Sequence, residues 1–160
     1  MAETDSLAAL LHVALEDLHS GKTTQALRLP GLAAKCSDRT LVAVVTTEAA
    51  RVAVQARRIA ERVKMASPRN LWIAGILDDA ERDTRQILSG PLLDIALIGA
   101  IRKAKASEIV SHETAVALAR RINISDLLAV TEELRTEDIA ADRALKVRLQ
   151  YIVSQTGHRT

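Results

Sequence analysis

The sequence is poor in residues that turn a chain or cross-link it. Its 160 residues include six glycines, three prolines and one cysteine. A single thiol, Cys36, excludes an internal disulfide framework and any cysteine-rich zinc site. Aromatics make up 1% of the chain, Trp72 and Tyr151, with no phenylalanine. Sandwiches and barrels draw on aromatic and β-branched strand fillers, so an all-β fold is disfavoured. So are nucleic-acid modules that stack bases on aromatic rings. No run of about 18 apolar residues occurs, and no membrane span is predicted. A formal net charge of +2 is too small to argue for a nucleic acid or a membrane surface as partner. The start, Met1-Ala2-Glu3-Thr4-Asp5, is acidic and carries no signal-peptide pattern, so a cytoplasmic location is expected.

What is present is helix-forming. Apolar residues are 48% and charged residues 26%, the balance of a folded domain. The length fits one domain over 1–160, with a core at about 6–153 and a flexible tail at 154–160. Alanine and leucine dominate, and both favour helix.

Helical periodicity marks four long segments. The first runs from about Ser6 to about Lys35, with Leu7, Leu11, Ala14, Leu18, Gln25, Leu29 and Leu32 on one stripe; Pro30-Gly31 should kink or break it. The second runs from Asp38 to about Met65 along Leu41, Val45, Glu48, Val52, Gln55, Ile59 and Val63. The third runs from Pro91 to about Ile122 and includes Ile98, Ile101, Lys105, Glu108, His112 and Ala115. The fourth runs from Ser125, read as an N-cap, to about Val153, with Leu134, Glu137, Ala141 and Leu145. A shorter helix is expected between the second and third, at about Leu71 to Leu88. Four long amphipathic helices with one crossover element predict an all-α, ferritin-like four-helix bundle.

Each stripe carries polar residues near its middle. They are Lys22 on the first, Glu48, Arg51 and Gln55 on the second, Lys105, Glu108 and His112 on the third, and Glu137 with Asp138 on the fourth. These levels coincide in a bundle, so a central polar layer is expected. At this point the chain resembles the bacterial ferritin-like stress proteins typified by YciE and YciF. The resemblance rests on Leu15-Glu16-Asp17-Leu18-His19, Leu27-Arg28-Leu29-Pro30, Gly75-Ile76-Leu77-Asp78-Asp79-Ala80-Glu81, and Gly90-Pro91-Leu92-Leu93-Asp94-Ile95-Ala96-Leu97-Ile98 with Glu108-Ile109. It implies a homodimer and, in the fold's relatives, a carboxylate layer holding two metal ions.

The departures from that pattern bear directly on chemistry. Lys22 stands where the resemblance implies a glutamate. The second-helix track reads Glu48, Arg51, Gln55 where it implies histidine and glutamate. Lys105 pairs with Glu108 where it implies two glutamates. Glu137 keeps the fourth-helix carboxylate. Lysine and arginine are donors only and cannot ligate metal while protonated. The expected layer is therefore Lys22, Glu48, Arg51, Gln55, Lys105, Glu108 and Glu137, three cations against three carboxylates, with no metal cofactor and no catalytic residue.

Other readings stay open at this level. Lys22, Arg51 and Lys105 can instead snorkel to the surface from the stripe edges. An iron or manganese site would have to use Glu48, Glu108, His112 and Glu137, with Glu133 a further candidate; its chemistry would be iron oxidation, storage or peroxide handling. Arg51, Arg58 and Arg62 form a basic stripe that could bind a protein or an anion, although an exposed charged face is the simpler account. Cys36 reads as a structural thiol and His19 as a packing residue, while His12 and His158 carry no signal. The function expected is that of a non-enzymatic, stress-associated structural or interaction protein.

Overall fold

The computed structural model describes residues 4–66 and 68–157. The described residues form five helices: α1 (Leu7–Ala33), α2 (Arg39–Ala60), α3 (Leu71–Gln86), α4 (Pro91–Arg121) and α5 (Ser125–Gln155). No strand occurs among the described residues. None of the helices is long and apolar enough to cross a membrane.

Local chemistry sets most of the ends. Ser6, Asp38 and Asn70 cap α1, α2 and α3, their side chains accepting from the N–H groups of Ala9 (3.2 Å), Leu41 (2.7 Å) and Ile73 (2.9 Å). Pro91 opens α4, where its missing N–H costs no helical bond. Gly90 precedes it with φ 134°, a conformation that L side chains rarely adopt. Asn123 stops α4 in the left-handed region, φ 57°. The Asn123 and Ile124 N–H groups then donate back to the carbonyls of Arg120 and Ala119, at 3.4 and 3.1 Å, a Schellman closure.

Three expected boundaries are corrected. Pro30 does not break α1, which runs on to Ala33; it lies in the last turn, where a lost hydrogen bond removes little helix. The second helix ends at Ala60 and not near Met65, because the chain tightens at Arg62 and Val63, both donating to the Ile59 carbonyl. Beyond it Ala66 N–H donates to buried Glu16, and Asn70 N–H to Ser20 Oγ, tying the return segment to α1. Ser125 is the first residue of α5 rather than its cap; Ile124 holds the cap position with no side-chain bond. His158 and the end of the expected tail lie outside the described residues.

Two apolar clusters give the topology. One gathers Leu29, Leu32, Leu41, Val45, Leu93, Leu97, Leu145 and Ile152. It joins the end of α1, the start of α2, the start of α4 and the end of α5. The other gathers Leu11, Leu15, Leu18, Ile59, Ala115, Ala119, Val130 and Leu134, at the opposite ends of the same four helices. Hence α1 and α2 are antiparallel, as are α4 and α5, while α2 and α4 run the same way. The link between these two parallel helices must travel the bundle's length. α3 covers about 24 Å of it with 16 residues at 1.5 Å each, packing on α1 and α4 through Ile73, Ala74, Leu77 and Ala80. This is a four-helix bundle with one long crossover.

Asp94 pins one end of the bundle. It is buried in the first turn of α4 and accepts from Ser37 N–H (2.8 Å), Ser37 Oγ–H (2.6 Å) and Asp38 N–H (3.0 Å). Asp38 in turn takes the Arg148 guanidinium of α5, with Nε at 2.8 Å. Asp94→Ala should lower unfolding free energy by about 3 kcal/mol, since donors bound to a charged acceptor lose it together. Asp94→Asn should lose less. Urea denaturation of the three proteins checks the order.

Candidate polar centre of the bundle

The two apolar clusters do not merge. Between them lie Lys22 and Gln25 from α1, Glu48 and Gln55 from α2, Lys105, Glu108 and His112 from α4, and Asp138 from α5, all buried. The two lysines are among the largest side chains to be fully enclosed, each with no exposed surface. They do not snorkel.

Lys105 Nζ is 2.5 Å from Glu48 Oε1, 2.6 Å from Glu108 Oε2 and 3.3 Å from Asp138 Oδ1. Lys22 Nζ donates to Gln55 Oε1 (2.7 Å) and Asp138 Oδ2 (2.9 Å), and is 3.4 Å from Glu108 Oε1. Gln25 Nε2 donates to that same Glu108 oxygen at 2.8 Å. His112 Nε2 stands 3.1 Å from Asp138 Oδ2, close in distance but without hydrogen-bond alignment. Glu48 Oε2 has Arg51 Nη1 at 3.4 Å. All six oxygens of the three buried carboxylates thus face a nitrogen within 3.4 Å.

Burial opposes every charge in this layer, and the partners decide the outcome. Desolvation alone would lower the Lys105 pKa, but Glu108, Asp138 and Glu48 more than offset it and hold it above the usual lysine value. Desolvation would raise the Asp138 pKa, yet Lys105 and Lys22 hold it below the carboxylate range. For His112 desolvation prevails, Lys22 adds to it, and the ring is held neutral despite Asp138 and Glu108. His112 Nδ1 has no hydrogen-bond partner among the described residues.

Two of the expected layer residues are displaced. Glu137 is not in the interior: its side chain is 38% exposed, and it pairs with Arg58 Nη1 at 3.1 Å while accepting from Gln55 Nε2 at 2.8 Å. The buried fourth-helix carboxylate is its neighbour Asp138, one residue further round the helix. Arg51 is half-buried at the rim, where it reaches Glu48 and, at 3.5 Å, the Glu137 carbonyl. The count of three cations to three carboxylates holds once Asp138 replaces Glu137 and Arg51 is placed on the edge. Lys22, Glu48, Gln55, Lys105, Glu108 and His112 converge. Gln25 belongs with them, and its place on the apolar stripe beside Leu29 and Leu32 was the signal.

The basic stripe is mostly engaged. Arg58 holds both Glu133 and Glu137 of α5, and Arg62 donates to the Arg58 carbonyl at 2.8 Å and pairs with Glu61. Glu133 is a surface partner of Arg58. Cys36 is half-buried; burial, Asp94 and Asp38 push its thiol up to about 12, which makes it a poor nucleophile. Among the described residues, no group of three or more His, Cys, Asp or Glu side chains is arranged to hold a metal ion.

The family described as "Domain of unknown function (DUF892)" matches residues 6–157. The solved structure of the stress protein YciF from E. coli superposes with a TM-score of 0.90 at 20% identity, covering 95% of this chain and 99% of that one. YcfI from Rhodopseudomonas palustris superposes with a TM-score of 0.86 at 19% identity, covering 90% and 95%. No curated protein matches the sequence.

The titration of the layer has a definite sign. His112, lowered from 6.5, contributes stability present above pH 6.5 that is lost as pH falls toward its folded value. Asp138, lowered from 3.8, adds a second loss in stronger acid. Lys105, raised from 10.5, contributes stability present below pH 10.5 and lost only above it. Unfolding free energy measured in urea should therefore fall as pH drops below about 6.5. His112→Gln should flatten that first decline. What is left of it belongs to His19, which burial also lowers.

Proposed function

The chain belongs to the DUF892 family, and we propose that within it this protein is a non-enzymatic bundle whose own ammonium groups occupy the place of a dinuclear metal centre. One observation carries the reading: Lys105 Nζ, fully buried, lies within 3.3 Å of three carboxylates from three helices. A divalent pair needs carboxylate and histidine lone pairs free to converge on it. Here every oxygen of Glu48, Glu108 and Asp138 already faces a nitrogen, and His112 Nε2 faces Asp138. The residues present do not fit a metal pair. Glu137, the fourth member of the alternative ligand set, is turned to the rim.

With the oxygens of Glu48, Glu108 and Asp138 committed to nitrogens and the Cys36 thiol pushed up to about 12, the role this reading gives the bundle is structural. We assign it the role of a stress-associated structural or interaction protein acting in the cytoplasm as a homodimer. The likeness to E. coli YciF, described as a stress protein, supports the association with stress.

Metal analysis tests the reading. Protein expressed with ample iron and manganese should hold well under one equivalent of either per chain; one or two tightly bound equivalents would overturn it. The converse variant, Lys22→Glu with Lys105→Glu, should gain a manganese-dependent rise in Tm that the parent lacks. Lys105→Met should cost roughly 3–5 kcal/mol in urea denaturation, because three carboxylates lose their shared counter-charge.

A further inference from the structure

One end of the bundle is left open. α1 and α5 are diagonal partners, each packing on α2 and α4. Where both begin, a cavity of about 300 Å³ lies between them. Its apolar walls are Leu11 and Leu15 of α1, Ile124 and Leu127 at the start of α5, and Val63 just past α2. Leu11 and Leu15 are core residues, each 2% exposed, so the cavity opens onto the apolar cluster itself. The opening follows from the early end of α2. A helix continued to Met65 would wall this end; instead the chain turns at Arg62 and Val63 and is drawn back along α1 by Glu16 and Ser20.

The rim of the cavity is basic. Arg62, Lys64 and His12 line it with the apolar walls, and no carboxylate does. Lys64 is exposed and makes no ion pair or hydrogen bond among the described residues. Arg62 donates only from Nη1, to the Arg58 carbonyl at 2.8 Å, with Glu61 at 3.6 Å from the same atom; its Nε and Nη2 make no hydrogen bond. Glu16, the acid nearest His12, stands 3.2 Å from its Nε2 and also holds the Ala66 N–H, so its charge is already answered. Hydrocarbon walls beneath uncommitted cations are complementary to a molecule with an apolar body and one anionic end. Other depressions lack that combination. The crevice between α2 and α5 carries Glu48 and Arg51, which pair with each other, and the open depression around Leu88 and Leu92 carries no charged group.

We propose that the open end of the bundle binds a medium-chain fatty acid, with its carboxylate on Lys64 and Arg62 and its chain against Leu11, Leu15, Val63, Ile124 and Leu127. A volume of about 300 Å³ is at the small end for ligand pockets, which sets the chain at about eight to twelve carbons. The carboxylate stays at the rim in reach of water, so no new charge is buried. The chain takes core leucine surface out of water and supplies the affinity. No residue of the polar centre lines this cavity, so the proposal stands apart from the reading of that centre.

Isothermal titration of the full chain with sodium decanoate, kept below its aggregation concentration, tests it. One equivalent should bind. Shorter acids should bind about fourfold more weakly for each methylene removed. Decanol, the same chain without the charge, should bind at least about tenfold more weakly, and added salt should weaken decanoate. Lys64→Glu removes no contact of the fold and should raise the decanoate Kd at least about tenfold. Ala8→Trp, at the exposed lip of the cavity, should abolish binding while circular dichroism stays helical. Leu88→Ser should leave binding unchanged. Absence of saturable binding overturns the proposal, as does binding that ignores chain length or is indifferent to both Lys64→Glu and Ala8→Trp. Phosphatidylglycerol vesicles separate the two sources of an acyl anion: co-sedimentation that survives Ala8→Trp assigns the basic rim to a membrane surface and overturns the cavity.

Discussion

A buried ammonium group is tolerable only where its counter-charges are fixed in advance. Lys105 meets that condition through Glu48 on α2, Glu108 on its own helix and Asp138 on α5. Lys22 on α1 then shares Asp138 and Glu108. Four helices therefore have to present their polar residues at one level. Apolar clusters above and below the layer are rich in Leu, Val and Ala, which pack adequately in more than one register. The ion network does not allow that freedom: moving one helix by a single residue turns its contribution by roughly 100° and leaves a charge uncompensated. Such a layer need not be more stable than an apolar one. What it supplies here is a unique alignment.

The charges also balance in a graded way. Two buried lysines face three buried carboxylates, and the remaining negative charge is met by Arg51 at the rim. With that charge answered from outside, the neutral form of His112 fits beside Lys22. Gln25 and Gln55 complete the layer without adding charge; Gln55 joins the interior to the rim by accepting from Lys22 and donating to Glu137. Outward from there, Arg58 with Glu133 and Glu137 is partly solvated. Water screens those outer pairs, so each contributes little. Sensitivity to substitution should decrease from Lys105 outward.

Much of this was legible in the sequence because helical spacing is a strong signal over 20 to 30 residues. The four long helices, the crossover, and the meeting of Lys22, Glu48, Gln55, Lys105 and Glu108 follow from the stripes. Glu137 and Asp138 show where the signal fails. From Leu134, steps of three then four and of four then three both reach Ala141, so periodicity cannot choose between them. Asp138 completes the second path and is fully buried, while Glu137 falls to the side. Arg51 is a related case. It lies three residues from Glu48, about 60° round the helix, which takes a long side chain from the core line to its edge. The early end of α2 was not legible, because it depends on Glu16 and Ser20, about fifty residues away, receiving the returning chain.

Lysine and a metal ion can both hold carboxylates together, but they leave a protein with different possibilities. A metal centre offers exchangeable positions, redox states and an activated water. An ammonium group offers three donors and nothing to exchange. Once those donors are committed, as they are at Lys22 and Lys105, the interior has reached its final state when the chain has folded. Any dependence on another molecule must then be carried by the outside of the bundle. There the informative residues are those the interior does not require. Leu77 and Ala80 are explained by the core they fill, whereas Trp72 is largely exposed and a Cβ at Gly75 or Gly99 would meet nothing within 4 Å.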